Sequence, residues 1–114
     1  MKKNKLLILW TNADPLIAEM MVFMYAQGSI KNGWWDKVQI VIWGSTAKLV
    51  AEDEHIQELI RDAKAVGVEF SACLSCATKL AVVEKLRNID MDLKYWGEPL
   101  TENLKDNSVK VLSI

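Results

Sequence analysis

A chain of 114 residues, 51% apolar and 25% charged, is expected to fold as one domain, 1–114, around a single core. Its net charge of −1, with both signs interspersed, leaves no basic face and argues against nucleic acid as a partner. No stretch approaches the ~20 apolar residues of a membrane span, and Lys2, Lys3 and Lys5 introduce an apolar run too short for a secretory signal.

Residues 5–10, Lys-Leu-Leu-Ile-Leu-Trp, read as a strand buried on both faces. Asp14 as N-cap and Pro15 at the first helical position then start a helix, expected to stop at Gly28. Between residues 16 and 26 only Glu19 is charged. Leu16, Ile17, Met20, Met21, Val22, Phe23, Met24 and Tyr25 cover nearly the whole circumference. A helix apolar all round is covered on two sides, and in so small a domain the second cover is expected to be another subunit. Lys31-Asn32-Gly33 forms a turn. Trp34 and Trp35 after it stand either one in and one out of the core, or together in a subunit contact.

Residues 37–43 form the second strand, and Gly44-Ser45-Thr46 leads from it into a helical region. Such a turn either simply reverses the chain or holds an anion or small polar ligand. The helical region breaks near Glu52-Asp53-Glu54. Ile56, Leu59, Ile60, Ala63 and Val66 then form an apolar stripe ended by Gly67. His55, the only histidine, lies among Glu52, Asp53, Glu54 and Glu58 and reads as a surface residue rather than a catalytic base.

Residues 68–70 begin the third strand, which runs into Cys73 and Cys76, the only cysteines. Ala77, Leu80, Ala81, Val83 and Leu86 follow at helical spacing. Ser75 is the expected N-cap, which places Cys76 in the first helical turn and Cys73 just before it. A thiol there faces unpaired N–H groups and the positive end of the helix dipole, both of which favour thiolate. Cys73 is expected to be the more reactive thiol and Cys76 to pack under the helix beside Ala77 and Leu80. In the cytoplasm, the expected location, paired cysteines are more often reactive or metal-binding than structural. Two thiols and a distant histidine fall short of a metal site, and no cofactor is expected.

Residues 92–96 form a weaker strand. Glu98-Pro99 introduces a short helix over 100–106, and Asn107-Ser108 turns into a last strand over 109–114. Strands alternating with crossovers of this length give an α/β fold, a three-layer α/β/α arrangement with a five-stranded parallel sheet and right-handed connections. Loops 11–14, 44–46 and 73–75 then share one rim, where ligands of open α/β sheets bind.

This element order resembles the DsrE/DsrF-like sulfur-relay family over essentially the whole chain. The matching features are Asp14-Pro15 after the first strand and Trp43-Gly44 after the second. Gly67-Val68-Glu69-Phe70-Ser71-Ala72-Cys73 matches into the third, and Leu104 with Lys110-Val111-Leu112-Ser113-Ile114 at the close. The resemblance implies that the last strand returns beside the first and that the protein is a homo-oligomer, trimer or hexamer. It also implies that Cys73 accepts sulfane sulfur from a donor protein as a persulfide and passes it to an acceptor's thiol. Thr11, Asn12, Gly44, Ser45 and Ser75 would then line the ligand site. Cys76 departs from a single swinging thiol, because a thiolate beside a persulfide can attack it and expel hydrosulfide. Two other readings stand beside this one. One is a Cys73/Cys76 dithiol redox module, although the Trp-Cys-Gly-Pro context and cis-proline of thioredoxin-like proteins are absent. The other is a non-enzymatic oligomeric scaffold whose cysteines are buried bystanders.

Overall fold

The computed structural model describes residues 4–114, so Lys2 and Lys3 of the basic start lie outside the described residues. Five strands form one parallel sheet: β1 (Lys5–Trp10), β2 (Lys37–Ile42), β3 (Glu69–Cys73), β4 (Leu93–Lys94) and β5 (Val109–Ser113), in the spatial order β4-β3-β2-β1-β5. β1 is an interior strand next to the β5 edge, with Leu6 opposite Val38 of β2 on one side and Lys110 of β5 on the other. The architecture is the expected three-layer α/β/α class, with the last strand beside the first.

The layers are unequal for a topological reason. The steps β1→β2→β3→β4 all advance in one direction, so right-handed crossovers place their helices on one face. Only the return from β4 to β5 runs the other way, which puts α7 (Gly97–Lys105) on the opposite face. Alternation along each strand feeds both sides. Leu6, Ile8, Trp10, Val38, Ile40, Ile42, Phe70 and Ala72 pack into the large core under the many helices. Leu7, Val41 and Trp96 form a smaller core, and Leu9, Trp43 and Leu100 around it are only half-buried.

Asp14 caps the first helix as expected, its Oδ1 accepting from Leu16 N at 2.8 Å and Ile17 N at 3.2 Å. The helix is composite: α1 (Pro15–Ile17), a π-helical segment (Ala18–Phe23) and α2 (Met24–Lys31). It passes straight through Gly28, the expected stop, and ends at Asn32. A Cβ at position 28 would meet the Trp34 ring at 3.8 Å, an ordinary van der Waals contact, so this glycine neither ends the helix nor is required by its surroundings. Ala18, Val22, Phe23 and Ala26 face the core. Leu16, Met20 and Met24 stand 67%, 59% and 59% exposed on the outer side. Of the tandem tryptophans one turns in and one out. Trp35 is half-buried with its Nε1 donating to Tyr25 Oη at 3.4 Å, while Trp34 is 58% exposed beside the methionines.

Asp53 divides α3 (Thr46–Glu52) from α4 (Glu54–Ala65) and caps the second, accepting from Ile56 N at 3.0 Å. After β3 the expected single helix is two, α5 (Leu74–Lys79) and α6 (Val83–Asn88). Ala81 breaks it, with φ +57. Ala81 N donates to Thr78 O at 3.1 Å and Val82 N to Ala77 O at 2.9 Å, the paired bonds of a Schellman motif. Among the described residues no helix is long and apolar enough to cross a membrane.

Candidate functional site

β2 and β3 finish level, with Ile42 opposite Ala72, so the loops that follow begin side by side. Gly44, at φ +73, turns the first loop toward α3. The second is barely a loop, since β3 passes directly into α5. With no linker, the last extended residue is Cys73 (φ −69, ψ 117), and its Sγ takes the N-cap role by accepting from Cys76 N at 3.4 Å. Ser75, expected in that role, is instead the second helical residue and points to solvent.

The exposure of the two thiols reverses the sequence expectation. Cys73 still belongs to the sheet and is 3% exposed, whereas Cys76 is only half-buried. Both are free, and the two cysteines lie 3.1 Å apart. The Gly44 N–H donates to Cys76 Sγ at 3.2 Å, tying the β2 loop to the first turn of α5. Burial pushes the Cys76 thiol up, the neighbouring Cys73 side chain adds to that, and the Gly44 N–H and Lys79 ammonium oppose it without winning. The helix start therefore does not make Cys76 a resting thiolate. It is a protonated thiol with its acceptor side held by a backbone donor.

Cys76 opens on a shallow apolar depression of about 240 Å³ lined by Gly44, Ser45, Lys79 and Leu80. Gly44 and Ser45 thus lie beside Cys76, whereas Thr11, Asn12 and Ser75 do not line this space. Thr11 is held by the end of the chain, its N and Oγ1 both donating to Ile114 O at 2.7 and 3.0 Å. Asn12 builds its own turn, Oδ1 accepting from Asp14 N at 2.9 Å and its carbonyl from Trp10 Nε1 at 2.9 Å. Lys79 and Leu80 are the lining residues that sequence reasoning passes over. Their signal is spacing, one helical turn beyond Cys76.

On β3, two residues before Cys73, Ser71 is buried together with Trp96. Ser71 Oγ accepts from Trp96 Nε1 at 2.7 Å and donates to Asp92 Oδ2 at 2.7 Å. His55 is elsewhere, exposed and bonded to Glu19 Oε1 at 3.0 Å. Among the described residues no group of three or more His, Cys, Asp or Glu side chains is gathered as a metal site. The chemistry available here is that of two adjacent sulfurs, one buried and one facing solvent.

A parallel three-layer α/β/α domain with a thiol pair at the carboxyl rim of its sheet defines the class. No protein-family model matches the sequence, and no curated protein matches it. Among solved structures it is similar to the conserved protein of unknown function BT1422 from Bacteroides thetaiotaomicron, with 39% identity, a TM-score of 0.91, and 97% of this chain and 95% of that one covered. The chain belongs to the same family as that protein.

Proposed function

We propose that this is a small sulfur-handling protein of the sulfur-relay kind, whose Cys73/Cys76 pair accepts sulfane sulfur as a persulfide and hands it to a second thiol. The observation that carries the reading is the pair itself: two unbonded cysteines 3.1 Å apart, with the Gly44 N–H on the outer one. The resemblance points to Cys73 as the acceptor. Exposure favours Cys76, since a donor reaching the rim meets that sulfur first. The donor and acceptor are other thiol-bearing molecules, and the chemistry suits the reducing cytoplasm, where both thiols stay free. The outward Leu16, Met20, Met24 and Trp34 favour assembly with further copies of the chain.

The test is sulfur uptake from glutathione persulfide, read as the glutathione set free. One equivalent is expected from wild type and from Cys73→Ser, and none from Cys76→Ser. No uptake by any of the three would leave the scaffold reading, with bystander cysteines, in its place.

A further inference from the structure

A persulfide on Cys76 would not stand alone. Its inner sulfur would remain beside Cys73: the two cysteines are already 3.1 Å apart, and the Cys73 Sγ accepts from Cys76 N at 3.4 Å. Cys73 is buried and fixed as the cap of α5, so it cannot swing away. The outer sulfur would project from Cys76 into the depression, toward Gly44, Ser45, Lys79 and Leu80.

We propose that the pair discharges the sulfur it accepts, Cys73 acting as a resolving thiol that releases hydrosulfide from the Cys76 persulfide. This rests on the reading that Cys76 takes up sulfane sulfur. In the first step the Cys76 thiol attacks the outer sulfur of a donor persulfide. The donor's S–S bond breaks, a new S–S bond forms on Cys76, and the donor leaves as a thiol carrying the proton. In the second step the Cys73 sulfur attacks the Cys76 sulfur. The Cys73–Cys76 bond forms, the bond to the outer sulfur breaks, and hydrosulfide departs with the Cys73 proton. Two electrons pass from the pair of thiols to the sulfane sulfur. A small dithiol, or two monothiols, then reduces the disulfide and restores the pair.

Position decides which thiol does what. The leaving group exits on the solvent side of Cys76, where the positive charge of Lys79 favours a departing anion. An external acceptor thiol competes poorly with one held at contact, because intramolecular attack carries effective molarities of ~10⁵ M or more. When no acceptor thiol is already docked at the rim, the accepted sulfur therefore leaves as hydrosulfide.

The experiment uses the full chain and glutathione persulfide, with bimane trapping of sulfide and intact mass of the protein. Wild type should release one equivalent of sulfide and become two hydrogens lighter, at least ~100-fold faster than Cys73→Ser. Cys73→Ser should become one sulfur heavier on Cys76 and hold it. Serine supplies a cap oxygen in place of the sulfur, and Cys73→Ala, which must behave the same way, controls for that change. If wild type keeps the extra sulfur as long as Cys73→Ser does, the discharge proposal is overturned and the uptake reading stands. If neither loads, the uptake reading falls and takes this one with it. Sulfide release from wild type with an unloadable Cys73→Ser would reverse the two roles and overturn the assignment.

Discussion

The indole N–H of Trp96 donates to Ser71 Oγ across 2.7 Å, and the same hydroxyl donates onward to the carboxylate of Asp92. This chain of bonds ties β3 to the two ends of the short β4, a strand of only two residues, and anchors the start of α7. Ser71→Ala leaves a buried indole donor without its partner. The expected loss is about 1–3 kcal/mol in urea unfolding. A loss under about 0.5 kcal/mol would show that the indole finds another acceptor.

Ala81→Gly should stabilise the protein. Alanine at φ +57 holds the left-handed conformation at a cost of about 1–2 kcal/mol, part of which glycine returns through its own chain entropy. A net gain of about 0.5–1 kcal/mol is expected in the same unfolding measurement. A destabilised variant would mean that the alanine methyl packs usefully between α5 and α6.

That residue also marks where the fold was legible in the sequence and where it was not. Four helices end in the same pair of Schellman bonds, with Gly33, Gly67, Ala81 and Asp90 at the left-handed position. The two glycines announce their turns. Alanine and aspartate do not, so one continuous helix was expected across the α5–α6 corner. Gly28 misleads in the opposite direction, because it sits in mid-helix without a positive φ, where its surroundings would take an ordinary side chain. At the site, the shared rim and the nearness of Gly44 to the cysteines follow from strand order alone. Which thiol faces out does not, because it depends on β3 entering α5 without a linker, a boundary that Ser75 obscured.

Alkaline pH should weaken the fold through Cys76. Its thiol titrates higher in the folded chain than in the unfolded one. As pH rises between those two values the unfolded state releases its proton first, and stability falls. Melting temperature should therefore decline from the ordinary thiol range upward, and Cys76→Ser should flatten that decline. Alkylation of Cys76 at neutral pH should be slower than that of a free thiol and speed up over the same range.

On the acid side the relevant pair is His55 and Glu19. The hydrogen bond to Glu19 is the main cause that raises the histidine, with Glu58 and Asp53 adding charge. The protonated form is favoured in the folded state, so its contribution is present below the ordinary histidine range and lost as pH rises through the raised value. Glu19→Gln should lower the histidine's titration midpoint measured by NMR and remove that pH-dependent increment. An unchanged midpoint would assign the shift to Glu58 and Asp53.

Met20→Glu combined with Met24→Glu should dissolve an assembly built on the outer side of the first helix. Light scattering of wild type should give a mass well above 12.9 kDa, and the double variant should approach that single-chain value with its circular dichroism intact. A wild type already at 12.9 kDa would exclude a subunit contact there.

The position of β1 has a consequence for biosynthesis. Of the five strands β1 is made first, yet it lies inside the sheet, and one of its two edges is reserved for β5, made after the other four. Until residues 109–113 have been translated, the N–H and C=O groups that Leu7 and Leu9 turn toward that edge have no sheet partner. An apolar strand with an open edge is what nascent chains pair with wrongly, and closing it late requires contact across nearly the full length of the chain. Truncated translation products of this protein would thus be sticky in a way the finished molecule is not, with the fifth strand acting as the seal.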